Sequence, residues 1–346
     1  MKKIEQKDLF ELKNVAQPVV AGADIFFTET KMNEKKNTYE TAIYKYTNEG
    51  KVPYGDDGTV NSSLQVSPDG KWISFVSNEG EDKTPQLKIQ AVTGGKAIAL
   101  TQEKKGVSVY VWGKDSQSIY YQTTKADEEE KKEEFPQPII VEKTTYRFDG
   151  GSFLPNKETT QIKQVEVATK EVKTLFETED SILFRDVLHD GGSLVVDRDL
   201  SNIRWTLDSA EACYVDVATG DIHPILEAGT DESYRYMLDS KEGVILAYNS
   251  GEHGFVTQVD IVFNKEGQPG SEGSILNLTS GLDVEWGDWL VADFQQSVTG
   301  VEPQWMDEES FLVSASVEGK IVLYRLFLDG RNEVLFDKEV HITGAK

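Results

Sequence analysis

SPDGKWISFVS, running from Ser67 to Ser77, sets a polar turn at Pro68-Asp69-Gly70 directly before Trp72, Ile73, Phe75 and Val76. Proline and glycine reverse the chain, and the aromatic and β-branched residues behind them favour a pleated, half-buried strand. The stretch therefore reads as the turn and second strand of a hairpin. The same frame returns along the chain. GKDSQSIYYQT carries Asp115 with Ile119 four residues on, LHDGGSLVVDR carries Asp190 and Leu194, and WMDEESFLVSAS carries Asp307 and Phe311. Looser copies begin at Gln17 (QPVVAGADIFFTET) and Leu238 (LDSKEGVILAYNS).

A second hairpin follows each of these units. It reads AIYKYTNEGKVPYG from Ala42, LKIQAVTGGKAIALT from Leu87 and IKQVEVATKEVKTLF from Ile162. Later copies are ACYVDVATGDIHPIL from Ala212 and VLYRLFLDGRNEVLF from Val322. Gly50, Gly94-Gly95, Gly220 and Gly330 stand where a tight hairpin turn demands a positive φ. One further copy, QVDIVFNKEGQPGSEGSILNLT, has an enlarged turn between Phe263 and Ser274.

Two hairpins per unit make a four-stranded antiparallel sheet. Such a sheet cannot cover both its faces alone, so repeated copies stack around a common axis. The expected fold is all-β, a β-propeller of about six four-stranded blades within a single domain spanning residues 1–346. A β-sandwich would not explain the paired-hairpin period. No apolar stripe at helical spacing lasts for three turns. One segment departs from the rhythm: the charge run from Lys125 to Glu134, followed by Pro136 and Pro138. Residues 125–138 read as a solvated rim excursion between the second and third strands of the third blade.

The 60 acidic side chains outnumber 36 basic ones, giving a formal net charge of −24. Such a surface repels phosphate backbones and anionic headgroups, so neither a nucleic acid nor a membrane is an expected partner. No apolar run approaches the roughly 20 residues that cross a bilayer, and Ile4-Glu5-Gln6-Lys7-Asp8 offers no export signal after Met1-Lys2-Lys3. Cys213 is the single cysteine, which fits a reducing, cytoplasmic setting. Its strand-like surroundings make it a buried small hydrophobe rather than a nucleophile.

Catalytic signatures are missing. No Gly-x-Ser-x-Gly elbow exists: Gly192-Ser193-Leu194 and Gly151-Ser152-Phe153 both lack the second glycine. His189, His223, His253 and His341 show no zinc-binding spacing, and each reads as a turn or strand-edge residue. Asp197-Arg198-Asp199 lacks the glycine and glutamate of a calcium loop, and Asp56-Asp57-Gly58 reads as a plain turn. No phosphate loop or dinucleotide fingerprint is present. The chain itself is expected to be inactive, with no catalytic residue, metal or cofactor. A carboxylate pair of glycosidase type at the axial funnel is a minor alternative, since sequence cannot show which acids face inward.

Tyr146 and Arg147, in Tyr146-Arg147-Phe148-Asp149-Gly150, are the candidate substrate-binding residues. They re-enter the fold at a rim, where an aromatic ring and a cation could meet a ligand's carboxylate or carbonyl. The alternative is a strand that docks the excursion back on its sheet.

The Ser67 hairpin, the charged insertion, TTYRFDGGSFL from Thr144, VATGDIHPIL and Val301-Glu302-Pro303-Gln304-Trp305 together resemble one family. They resemble the propeller of the acylaminoacyl-peptidase branch of the prolyl oligopeptidase family. That resemblance implies a serine peptidase whose propeller caps an α/β-hydrolase domain and restricts access to short peptides. The partners it implies are that hydrolase domain and short peptides. The sequence ends at Lys346 before any hydrolase, so no triad residue carries over. Propellers of this branch usually have seven blades, which makes six an incomplete ring. Uncovered end blades imply a distorted open ring or self-association. The competing expectation is a stand-alone propeller acting as a protein-interaction scaffold.

Overall fold

The computed structural model describes residues 3–80, 83–126, 138, 140–143, 146–147, 158–188, 192–204, 206, 209–265, 274–291, 298 and 300–346. Its strands form six separate antiparallel sheets, each built from consecutive strands of the chain. Blade 1 comprises Lys13–Ala21, Asp24–Asn33, Thr38–Thr47 and Gly50–Tyr54. Blade 2 contains Asn61–Val66, Trp72–Ser77, Gln86–Ala91 and Ile98–Ala99. Blade 3 contains Tyr110–Trp112, Ser118–Thr124, Thr160–Glu166 and Val172–Thr178. Blade 4 contains Ile182–Val187, Ser193–Asp199, Ala210–Asp216 and Ile222–Pro224. Blade 5 contains Ser233–Ser240, Gly243–Asn249, Asp260–Lys265 and Ser274–Asn277. Blade 6 has two short inner segments, Glu285–Trp286 and Gln304–Trp305, both paired with Ser310–Val317. Lys320–Phe327 and Asn332–Phe336 complete it.

The opening hairpin behaves as its residues dictate. Ser67 Oγ accepts the amides of Lys71 at 3.2 Å and Trp72 at 3.0 Å, and Gly70 takes φ of 70°. Behind that turn Ile73 and Phe75 are fully buried. Gly220 (φ 78°) and Gly330 (φ 86°) occupy the predicted hairpin turns. The only α-helix among the described residues is Ser201–Arg204. No helix of the described residues is long and apolar enough to cross a membrane.

Among the described residues the core lies between the blades, in five apolar clusters, one for each pair of consecutive blades from 1 to 6. Phe26 and Ile43 of blade 1 meet Ile73 and Phe75 of blade 2. Leu87 and Ile89 meet Trp112 and Tyr121 between blades 2 and 3, and Ile162 meets Leu194 and Cys213 between blades 3 and 4. Ala212 and Tyr214 meet Tyr236 and Leu246 across the next seam, and Ile245 and Phe263 meet Phe311 and Tyr324 across the fifth. Each fully buried aliphatic or aromatic side chain contributes about 1.5–3 kcal/mol through removal from water.

The charged excursion leaves from the predicted place, between Ser118–Thr124 and Thr160–Glu166. Its two ends are held together, since the Lys125 amide donates to the Thr159 carbonyl at 2.9 Å. Most of residues 125–138, together with 148–150 beside Arg147, lies outside the described residues.

Candidate functional site: the axial channel

The first strands of blades 1 to 4 and the segment leading into Gln304–Trp305 line one cavity of about 830 Å³. Its walls include Gln17 and Pro18 from blade 1, Ser63 to Val66 from blade 2 and Tyr110 from blade 3. Arg185 comes from blade 4, Glu302 and Pro303 from blade 6, and Gly344 to Lys346 from the segment that follows blade 6. A volume of this size is in the range that takes a short peptide or a drug-sized ligand, about 300–1,000 Å³.

Four of the blades' first strands share a departure from regular pairing. The register slips between Ala16 and Val19, between Ser62 and Gln65, between Phe184 and Asp186, and between Tyr236 and Leu238. Such bulges release backbone N–H and C=O groups from the ladder and re-aim a side chain. Two of the bulged residues are left-handed without being glycine: Gln17 at φ 51° and Ser63 at φ 58°. That conformation is uncommon for side-chain-bearing residues and is held only where the surroundings enforce it. For Gln17 the amide oxygen accepts the Leu64 N–H at 3.5 Å, joining two bulges across the first seam. The channel wall thus carries the side chains of Gln17, Ser63 and Arg185.

The wall is fixed from behind. Gln65 Nε2 donates to the Tyr110 carbonyl at 2.8 Å. Tyr110 Oη donates to the Ser63 carbonyl, and Ser74 Oγ accepts Trp112 Nε1 at 2.7 Å. Arg185 Nε lies 2.6 Å from Asp197 Oδ2, while Asp197 Oδ1 accepts the Tyr236 amide at 2.8 Å. Asp197 is only 3% exposed, and burial holds its carboxyl above the ordinary range even against the pull of Arg185. Neighbouring Asp186 is raised in the same way, burial leading, and accepts Tyr236 Oη at 3.0 Å. Glu302 reaches the channel, and its enclosing walls also raise its carboxyl, opposed by the charges of Arg185 and Lys346. The channel therefore carries a neutralised cation at Arg185 and a carboxylate of raised proton affinity at Glu302.

The residues singled out from sequence fall elsewhere. Tyr146 is 45% exposed and Arg147 is exposed as well. Neither lines the channel cavity. Cys213 is fully buried in the core of blade 4, where burial pushes its thiol up to about 12. His189 lies outside the described residues, His223 sits in an outer strand, and His253 precedes a turn. His341 Nε2 lies 2.6 Å from Asp288 Oδ2. Asp197 is a strand residue paired with Arg185. Among the described residues no group of three or more His, Cys, Asp or Glu is placed to hold a metal ion. The bulges at Gln17 and Ser63 carry no sequence signal, since the residue that normally marks a positive φ is absent.

No family model matches the chain. Among curated proteins it is 28% identical over 186 residues to "Uncharacterized peptidase YuxL" of Bacillus subtilis (strain 168), a match covering 51% of this chain and 28% of that protein. Among solved structures it superposes on acylaminoacyl peptidase of Pyrococcus horikoshii with a TM-score of 0.70 and 18% identity, covering 97% of this chain and 48% of that one. It also superposes on the β-propeller domain of the Trilobed protease from Pyrococcus furiosus, described as having an open velcro topology. There the TM-score is 0.62, with 16% identity over 96% of this chain and 88% of that one. The chain spans about half the length of the acylaminoacyl peptidase it matches, and less of the curated relative. It is a six-bladed β-propeller that matches the propellers of acylaminoacyl peptidases over 97% of its length and is distantly related in sequence to a bacterial peptidase.

Proposed function

We propose that this propeller gates and selects peptide substrates for a serine peptidase domain of the acylaminoacyl-peptidase or prolyl-oligopeptidase type, in the cytoplasm. The observation that carries the reading is the axial cavity of about 830 Å³ with its bulged strands. An extended peptide is narrow enough for a cavity of this volume, and the walls offer polar side chains at Gln17, Ser63 and Arg185. A narrow channel walled by folded blades admits such a chain and excludes a globular protein. Arg185, paired with Asp197, and the carboxyl of Glu302 give the passage polar groups for a peptide backbone. Tyr146 and Arg147 are proposed as rim contacts for the peptide before it enters.

Titration calorimetry with tri- to hexapeptides tests this on the chain itself. Binding is expected for the chain as it stands, and Val20→Trp, at an exposed position on the cavity wall, is expected to abolish it. Peptides that fail to bind, or that bind the Val20→Trp variant equally well, count against the reading. The reading frame beyond the Lys346 codon is a second test. Continuation into a Gly-x-Ser-x-Gly motif supports a gating propeller, whereas a stop codon supports the stand-alone interaction scaffold.

A further inference from the structure

Away from the axial channel, a second cleft of about 430 Å³ opens where blades 5 and 6 meet. It shares no lining residue with the channel. Its apolar lining comes from Phe263 and Leu276 of blade 5 and from Phe327 and Leu328 of blade 6. Phe263 is 3% exposed and belongs to the apolar cluster that seals this seam, so the cleft ends on closed core. Leu276, in contrast, is 44% exposed.

The cations of the cleft are already committed. Lys265 Nζ lies 3.6 Å from Glu242 Oε2, and Arg331 Nε lies 2.8 Å from Asp329 Oδ2. The guanidinium carbons of Arg331 and Arg325 also lie 4.4 and 4.7 Å from the centre of the Phe327 ring. Arg325 is tied in turn to Asp307 and, at 2.9 Å, to Ser310 Oγ. Glu309 is different. Its amide donates to Asp307 Oδ1 at 3.0 Å and its carbonyl accepts the Leu328 amide at 3.0 Å, which pins its backbone at the edge of the cleft. Among the described residues its carboxylate has neither an ion pair nor a hydrogen bond. The cleft therefore sets one uncommitted negative charge beside an apolar surface.

We propose that this cleft is a ligand site, separate from the channel, for a small organic cation: a primary ammonium group on an apolar or aromatic body. The ammonium donates to Glu309 in a charge-assisted hydrogen bond, and the apolar body covers Leu276. An anion gains less, because it must displace Glu242 or Asp329 from the cation each already holds. The size fits, since small-ligand sites span about 300–1,000 Å³. A free arylalkylamine and the amino end of a short peptide present the same chemistry. A ligand seated here touches both blades and stabilises the fold by mass action.

Titration calorimetry on the full chain, at physiological ionic strength, tests the site with phenethylammonium, phenethyl alcohol and phenylacetate. The ammonium is expected to bind about tenfold more tightly than the alcohol, and phenylacetate more weakly still. Glu309→Gln is expected to erase that preference, and Leu276→Trp to block the cleft. Glu308→Gln removes a carboxylate that is 91% exposed next along the chain, and it is expected to change nothing. Val20→Trp, on the channel wall, is expected to leave the ammonium's binding intact, which separates this site from the channel. Phenylalanylglycinamide distinguishes the two sources: binding tighter than that of phenethylammonium identifies a peptide's amino end, and weaker binding a free amine. Absence of binding overturns the proposal, as does equal binding of the alcohol. So does an equal loss in Glu308→Gln, because the ammonium is then drawn only to a negative surface. Loss of binding in Val20→Trp places the ligand in the channel and overturns it too.

Discussion

Lys88 Nζ lies 2.6 Å from Asp56 Oδ2, with both side chains only 8% exposed. Glu79 pairs with the same ammonium group. Burial works against the charge on Lys88, yet its two carboxylate partners outweigh this and raise its proton affinity. Asp56 is further fixed by the Gly58 amide at 2.8 Å and Ser77 Oγ at 2.9 Å. The residue that reads as part of a plain turn is the anchor of a buried ion pair joining the loop after blade 1 to blade 2.

Removing one member of such a pair strands the other charge in a dry place. Asp56→Ala is therefore expected to destabilise the chain by about 3–5 kcal/mol. Asp56→Asn, which retains an acceptor for Gly58 and Ser77, is expected to cost less. Urea denaturation of the two variants checks the ordering, and equal losses would mean that the lost charge alone decides and the retained acceptor contributes nothing.

Cys213 gives a chemical prediction. Its thiol is fully buried, and burial pushes its ionisation up to about 12, so almost no thiolate exists at neutral pH. A disulfide reagent such as DTNB is expected to leave the folded protein unmodified over an hour and to titrate one thiol in denaturant. Rapid labelling of the folded chain would contradict the placement of Cys213 between blades 3 and 4.

The fold was legible because its signal is local and repeated. Asp69 and Ile73, or Asp307 and Phe311, lie within one hairpin, so turn chemistry and strand period are both visible in about a dozen residues. Burial of Cys213 was legible for the same reason. The channel was not. Gln17 and Ser63 adopt left-handed backbone without glycine, and what holds them there is tertiary packing that leaves no trace in composition. Nor could sequence pair His341 with Asp288, 53 residues apart, or Asp56 with Lys88, 32 residues apart. Their meeting depends on how blades stack, and stacking is decided after the hairpins exist. Tyr146 and Arg147 were chosen for their position beside the charged excursion, and that position alone did not bring them to the channel.

Asp186 carries a pH prediction. Burial raises its folded-state proton affinity above that of an ordinary carboxyl, helped by the nearby charge of Asp239 and opposed by Lys114. A group raised on folding stabilises the protein below the unfolded value of about 3.9 and loses that contribution as pH rises through the folded value. Asp186→Asn is uncharged throughout, so it is expected to be more stable than the parent at neutral pH. The advantage is expected to shrink towards zero below about pH 4. Urea melts at several pH values measure this, and an advantage that grew on acidification would have the wrong sign.

Gly243 turns the chain into the second strand of blade 5 at φ 154°, where a Cβ would sit 2.1 Å from the Asn264 carbonyl oxygen. The obstacle is backbone in the paired strand, which cannot swing aside like a flexible side chain. Gly243→Ala is expected to cost more than about 2 kcal/mol. Gly22→Ala, at a left-handed turn with open space around it, is expected to cost less. Thermal melts of the two variants separate the clash from the backbone strain they share.

Adjacent residues of one strand provide the sharpest test of the uneven ring. Phe26 is fully buried against Ile73 and Phe75 of blade 2, whereas Ile25 points to the opposite face of the sheet and is 41% exposed. Val15, Val20 and Tyr46 of the same blade are also exposed, at 48%, 47% and 57%. Phe26→Ala removes a packed ring and leaves a cavity, with an expected loss of about 3–5 kcal/mol. Ile25→Ala removes side chain that already meets water, and its expected effect is within about 0.5 kcal/mol. Were blade 1 packed against blade 6 as tightly as against blade 2, the isoleucine would cost about 2–5 kcal/mol on truncation, as core isoleucines do. The difference between two neighbouring substitutions thus measures, in one strand, how much tighter blade 1 packs on blade 2 than on its other side.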